Sequence, residues 1–321
     1  MKQLLQNMRD GKAVVVDAPV PVVRPNAALV RTAASLVSAG TERMVVEFAE
    51  KSLAGKARSR PDLMRQVLEK ARREGLLTSV QAAFDRLDQP MALGYSSAGS
   101  IVELGAGMAG FQVGQRVACA GGGYAVHAEY ALVPRNLLAP LPGNVDFESG
   151  AFATLGAIAM PGFRLAQPQV GERVAVIGLG LLGLLAAQIA AAAGCSVFGI
   201  DLDRKRLALA DGLGIRAASR DGAAEAGAAF TGNQGFDIVL ICADTPSNDP
   251  VELAAQLARD RARVVATGAV GLDIPRKPYY DKELSFINSR SYGPGRYDPS
   301  YEEGGQDYPA GRTTPEAPDL Q

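Results

Sequence analysis

The chain has 321 residues, enough for two domains that each bury a core. Its 33 basic residues nearly balance 34 acidic ones, and a net charge of −1 gives no overall attraction to nucleic acid or an anionic membrane. Three dispersed cysteines, Cys119, Cys195 and Cys242, fit neither a disulfide framework nor a knuckle-type zinc site.

The opening MKQLLQNMRDGK lacks the apolar run of a signal peptide, so a cytoplasmic location is expected. KAVVVDAPV and ALVRTAASLVS alternate apolar and polar residues around Pro19, Pro21 and Pro25, which predicts a hairpin or meander. SAGTERM (residues 38–44) follows. Between about residues 47 and 90 the period changes: Leu63, Val67, Leu68 and Ala71 share one helical face, and Val80, Ala83, Phe84 and Leu87 another. From Lys51 to Arg73 this helical insertion carries eight basic residues against two acids. A solvated face, a positive lid over an anionic substrate and a docking surface all fit that excess.

Strand signals return in LGYSSAGSIVELGAG and VGQRVACAGGGYAVHAEYALVP, with glycines at the turns, as in a small barrel. Residues 144–166 read as helical. The stretch that organises the second half then begins: Val174, Val176 and Ile177 form a short β-branched run before Gly178, Gly180 and Gly183. An Ala/Leu-rich segment follows, and a second strand, Ser196–Ile200, ends on Asp201.

That order describes a βαβ unit around G-x-G-x-x-G. Gly178 makes the tight turn, Gly180 admits a pyrophosphate to the backbone, and Gly183 lets helix and strand pack closely. Amides at the helix start, over Leu179, Leu181 and Leu182, face the phosphate charge. Asp201, twenty-three residues after Gly178, is placed to accept from ribose hydroxyls, flanked by Leu202 and Arg204. An acid there repels a 2′-phosphate, so NAD is expected over NADP. Residues 174–194 also carry no charge over a length that could span a membrane, but the glycine spacing and Gln188 favour the βαβ unit. Beyond it, Arg204–Gly214 reads as a helix, Phe236–Asp244 as a strand, Pro250–Arg259 as a helix and Arg261–Val270 as a strand. This alternation predicts a doubly wound parallel sheet. Cys242 and Ala243, with Thr267 and Gly268, stand at strand tips that would border the cofactor. From Ser289 no periodic apolar pattern survives, and residues 304–321 read as loop or disorder.

With VAVIGLGLLG, GIDLDRKRLALADGLG and ARVVATG behind a β-rich first half, the chain resembles the medium-chain dehydrogenases/reductases, the zinc-type alcohol dehydrogenase superfamily. The likeness runs over about residues 12–290. GYSSAGSIVELGAGMAGFQVGQRVAC and HAEYALVP sit where that family has its glycine-rich and A-E-Y segments. More narrowly, SAGTERM, GYSSAG and SYGPGRYDPSYEEGGQDYP resemble bacterial proteins in which such a module precedes a Gfo/Idh/MocA-type oxidoreductase module. The resemblance implies an α/β protein with a GroES-like catalytic domain over residues 1–140 and a Rossmann domain over 141–288. Residues 289–321 would be a partial return segment and tail, truncated relative to the family.

The family's zinc ligands are not matched. Ser38 stands at the first cysteine position, Tyr95 at the histidine position, Ser96 where glutamate follows it, and Ala157 or a neighbour at the third ligand. These residues do not make a tetrahedral N/S site, so no zinc is expected. Proton transfer then falls to side chains: Ser38, Tyr95 and Ser96, with Thr41 and Glu42 beside them. Tyr95 would donate to a carbonyl oxygen and Glu42 would orient it. His127, the only histidine, suits a proton relay and equally reads as a structural residue beside Ala128 and Glu129.

The expected function is an NAD(H)-dependent oxidoreductase acting on an alcohol/carbonyl pair. A sugar or nucleotide-sugar is the suggested substrate, anionic if the basic insertion covers it. A quinone or enoyl reductase, a bacteriochlorophyllide-type dehydrogenase and a non-catalytic dinucleotide-binding module stay open, as does a homodimer.

Overall fold

The computed structural model describes residues 1–7, 11–38, 40, 42–43, 90–304 and 306. Thr41, the helical insertion and residues 307–321 therefore lie outside the described residues, and so do the expectations placed on them. The chain divides into two compact units, Met1–Thr154 and Leu155–Gln321.

The first unit is antiparallel β. Strands β1 (Lys2–Gln6), β2 (Ala13–Asp17) and β4 (Met91–Ala92) form a three-stranded sheet in the order β2-β1-β4. Strands β3 (Ala27–Ser35), β5 (Ser96–Leu104), β6 (Arg116–Ala120), β7 (Tyr130–Pro134) and β8 (Leu138–Pro140) form a five-stranded sheet in the order β7-β3-β5-β6-β8. The expected hairpin or meander of KAVVVDAPV with ALVRTAASLVS is not formed. β2 pairs with the amino-terminal β1, while β3 pairs with β5 and β7. The prolines between the two runs remove ladder donors, which stops a direct hairpin and sends the strands to different sheets.

The second unit carries a parallel sheet in the order β11-β10-β9-β12-β13-β14. Its strands are β9 (Arg173–Ile177), β10 (Ser196–Asp201), β11 (Arg216–Ser219), β12 (Phe236–Ile241), β13 (Ala258–Ala266) and β14 (Ser285–Asn288). Relative to β9 as first strand this is the 3-2-1-4-5-6 order of a doubly wound sheet, and the switch in direction falls between β9 and β12. The central strands are apolar throughout because both faces are covered. One face buries Phe198, Phe236, Val239 and Val264; the other buries Val174, Val176, Ile238 and Leu240. The uncharged stretch from Val174 is thus a core strand followed by the helix Leu181–Ala192, which turns Gly183, Leu184, Ala187 and Ala190 inward. Among the described residues no helix is long and apolar enough to cross a membrane.

Strand β11, the helix Ala223–Thr231 and strand β14 escape the periodicity reading because they are short or alanine-rich. Residues 290–303 are also more ordered than the pattern suggests. Glu302, 8% exposed, accepts from Tyr292 and from Arg296, the latter at 2.7 Å, and Arg296 stacks 3.7 Å from the centroid of Tyr297.

Candidate functional site

In the second unit the glycine turn sits at the carboxyl ends of the strands, at the switch point, where open α/β sheets bind ligands. Gly178 has φ +93°, and a Cβ there would lie 2.7 Å from the Ala243 nitrogen. A side chain at Gly183 would collide with the Gly178 carbonyl oxygen, and one at Gly268 with that of Ala243. The tips of β9, β12 and β13 are therefore in backbone contact, which brings Gly178, Ala243 and Gly268 together. Gly180 differs: a Cβ added there would meet nothing within 4 Å, which leaves the amino end of Leu181–Ala192 open to an approaching phosphate.

Asp201, only 7% exposed, takes a second role that the spacing did not reveal. Its Oδ2 accepts from the backbone N–H of Leu179 at 2.6 Å, and its Oδ1 from that of Asp203 at 2.9 Å. The Arg206 guanidinium stands 3.4 Å from Oδ2. The carboxylate thus braces the glycine turn itself, with lone pairs left for ribose hydroxyls. Leu202, 83% exposed, and Arg204, also exposed, flank it. Leu181 is exposed, Leu182 half-buried and Leu179 fully buried. Cys242 packs behind the turn, where burial pushes its thiol up to about 12 and leaves it a core residue. Thr267 is half-buried beside Gly162. A cavity of about 660 Å³, lined by Thr231, Gly235, Arg259 and Lys282, opens at the amino ends of β12 and β13, remote from this turn.

In the first unit the polar residues gather around His127, which lies just before β7. Its Nε2 is 3.2 and 3.1 Å from the two Glu42 carboxylate oxygens, and its Nδ1 is 2.9 Å from Ser35 Oγ. The side chains of His127 and Glu42 are 9% and 11% exposed. Glu42 Oε1 also accepts from the Ser38 N–H at 2.9 Å, and the Glu42 N–H donates back to the Ser38 carbonyl at 2.9 Å. Glu42 is therefore bonded to His127 and does not orient Tyr95 as expected. Tyr95 is half-buried, and its hydroxyl makes no hydrogen bond among the described residues. Ser96, 1% exposed, spends its hydroxyl on the Ala151 carbonyl at 2.5 Å. Ser35 was missed; only its place seven residues before Glu42, at the end of a strand, could have suggested it.

The zinc positions gain no donors from the fold. Ser96 is engaged as a structural donor to the Ala151 carbonyl. Among the described residues no group of three or more His, Cys, Asp or Glu could hold a metal ion. Among the described residues, Ser38, Tyr95 and Ala157, at the positions where the resemblance puts the zinc ligands, offer no nitrogen or thiolate donor set for a zinc ion.

Two family models match the chain, the alcohol dehydrogenase GroES-like domain over residues 70–143 and the zinc-binding dehydrogenase over residues 182–303, together more than half its length. The chain belongs to the zinc-type alcohol dehydrogenase superfamily. It is an oxidoreductase of a family that uses NAD(P). Sorbitol dehydrogenase of Halalkalibacterium halodurans is 28% identical over 246 residues, 66% of this chain and 71% of that one. Galactitol 1-phosphate 5-dehydrogenase of Escherichia coli strain K12 is 28% identical over 218 residues, 58% of this chain and 62% of that one. The match therefore spans less than two thirds of the latter relative. The crystal structure of galactitol-1-phosphate dehydrogenase from Escherichia coli superposes with a TM-score of 0.71 at 23% identity, covering 92% of this chain and 85% of the other. At that identity the likeness establishes the fold.

Proposed function

We propose that this superfamily member is an NAD(H)-dependent oxidoreductase that interconverts an alcohol and a carbonyl without a catalytic zinc ion. The observation that carries the reading is the turn Gly178–Gly183, open at Gly180 and braced by the buried Asp201 carboxylate. The turn amides and helix start would hold the pyrophosphate, and Asp201 the adenosine ribose. When bound, the nicotinamide supplies hydride chemistry; this chain supplies binding, orientation and the movement of a proton. Ser38, Thr41, Glu42, Tyr95, Ser96 and His127 are the residues proposed for that last role, with His127 and Glu42 foremost because the fold pairs them.

A polyol or sugar derivative is the proposed substrate class. The names of the sorbitol and galactitol 1-phosphate relatives support it, as does the likeness of SAGTERM and GYSSAG to two-module sugar oxidoreductases. The basic residues from Lys51 to Arg73 favour an anionic member of that class. Action in the cytoplasm and pairing of two copies complete the reading. A second reading, reduction of a quinone or enoyl group, draws on the same lack of a zinc donor set.

Fluorescence titration of the chain with NADH and with NADPH tests the proposal. NADH is expected to bind at least about tenfold tighter, because Asp201 repels a 2′-phosphate. NADPH preference would favour the quinone-type reading. Binding of neither by the folded protein would overturn both.

A further inference from the structure

Past the carboxyl end of β14 the chain folds onto itself around one tyrosine. The Ser289 N–H donates to the Ala266 carbonyl at 2.8 Å, which ties the start of the segment to the tip of β13. Two guanidinium groups then sit over the Tyr297 ring, Arg296 at 3.7 Å from its centroid and Arg290 at 4.5 Å. Only one of these cations is neutralised. Arg296 donates to Glu302 at 2.7 Å, and the two side chains are 17% and 10% exposed. Arg290 is exposed and makes no hydrogen bond or ion pair among the described residues. Asp298, the acid next to the ring, accepts from the Ser300 N–H at 2.9 Å.

Tyr297 keeps this geometry against backbone strain, since its φ of +66° lies in the left-handed region that bulky residues avoid. Strain of that kind persists where the surrounding structure enforces it, and it gathers at sites where a side chain's position is used. Here Glu302 enforces it, accepting from the Tyr297 N–H at 3.4 Å as well as from Arg296 and Tyr292. A guanidinium stacked on a ring holds its plane, so its N–H fork meets a ligand already oriented. Two cations over one ring, served by one carboxylate, leave a positive charge unmatched at Arg290.

We propose that Arg290, stacked on Tyr297, anchors an anion site that takes the phosphate monoester of a small polyol or sugar. Every residue of the site lies between Arg290 and Glu302, within the second unit. The group recognised is the phosphate, which the free ion also supplies. Its charge of about −2 and three acceptor oxygens suit an exposed fork backed by a second cation. A single carboxylate there would gain little against water and salt. The polyol part rests on the reading given under Proposed function; the phosphate part rests on the fold of this segment alone.

Isothermal titration calorimetry of the full-length chain with sorbitol 6-phosphate, sorbitol and inorganic phosphate tests the site. At matched ionic strength, sorbitol 6-phosphate is expected to bind at least about tenfold tighter than sorbitol. Arg290→Gln should bring that ratio to within about twofold, and Arg290→Lys, which keeps the charge without the fork, should fall between. Tyr297→Asn removes the ring but suits a positive φ, and it should lower the ratio with Arg290 still present. The thermal midpoint of each variant shows that it remains folded. Inorganic phosphate bound as tightly as the ester, and lost in Arg290→Gln, would keep the site and make the free ion its ligand. A wild type with no preference for phosphate would overturn the site, and so would Arg290→Gln that keeps the preference. Arg290→Gln that weakens NADH while leaving the ratio alone would also overturn it, because the guanidinium would then serve the dinucleotide. NADH titration of the same wild-type protein reads the coenzyme proposal separately, so the two can fail independently.

Discussion

Replacing Asp201 by alanine should loosen the glycine turn even with no cofactor present. The carboxylate accepts two backbone N–H groups, from Leu179 at 2.6 Å and from Asp203 at 2.9 Å. Leu179 is fully buried, so its N–H finds no water in place of the lost acceptor. A charge-assisted bond of that kind contributes about 2 kcal/mol, and the exposed Asp203 N–H, which water can satisfy, about 1 kcal/mol more. A loss of about 3 kcal/mol corresponds to roughly a hundredfold rise in local opening. Amide hydrogen exchange over residues 178–184, followed by mass spectrometry without nucleotide, reads that opening directly. Peptides from β12, on the far side of the turn, should exchange at nearly the wild-type rate. Unchanged protection at Leu179 in Asp201→Ala would refute the bracing role and leave the carboxylate only its ribose.

Other perturbations follow from the same contacts. Burial pushes the Glu302 carboxyl up, but hydrogen bonds from Tyr292, Arg296 and the Tyr297 N–H outweigh it and hold the group below its ordinary 4.5. A depressed folded-state pKa gives stability that is complete above the unfolded value and lost as pH falls through the folded one. The difference in thermal midpoint between wild type and Glu302→Gln should therefore be full at pH 7 and shrink below about pH 4.5. Burial raises all three thiols, those of Cys119 and Cys242 up to about 12, while the Cys195 sulfur sits at an exposed contact with the Gln169 carbonyl. Mass spectrometry after alkylation near pH 8 should find Cys195 labelled first in the folded protein, with the other two labelled only on unfolding. Phe236 is fully buried, its ring centroid 5.8 Å from that of Phe198 and 5.9 Å from that of Phe230. Phe236→Ala should destabilise the second unit by about 3–5 kcal/mol in denaturant unfolding.

The second unit was the legible half because its signals are local. Gly178, Gly180, Gly183 and Asp201 lie within one βαβ unit, so spacing alone implies their geometry. The first unit is antiparallel, and its pairings join residues far apart in sequence. β1 bonds β4 across more than eighty residues, and no pattern within either strand announces that. His127 and Glu42 are eighty-five residues apart and meet only because β1 and the segment after Leu93 both grip the His127 backbone. A lone histidine before an A-E-Y segment therefore read as structural as readily as functional. Glu42 was assigned to Tyr95 because both were attached to the same family pattern, and only the fold could separate them.

Asp201 joins two properties in one carboxylate. On the proposed reading its charge favours NAD over NADP, while its two acceptor oxygens hold the turn that would receive the pyrophosphate. A substitution that admits a 2′-phosphate by removing the charge also strips the Leu179 N–H of its acceptor, so affinity for both nucleotides should fall together. Arg206, 3.4 Å from the carboxylate and half-exposed, is the cation already in place to meet a phosphate there. Asp201→Ser keeps a short hydroxyl acceptor and frees Arg206. It should gain on NADPH relative to NADH while binding both more weakly than the wild type binds NADH. Asp201→Ala should lose more on both, because nothing then accepts from Leu179. Equal losses in the two variants would mean that the turn holds without its acceptor and that Asp201 acts on the nucleotide by charge alone.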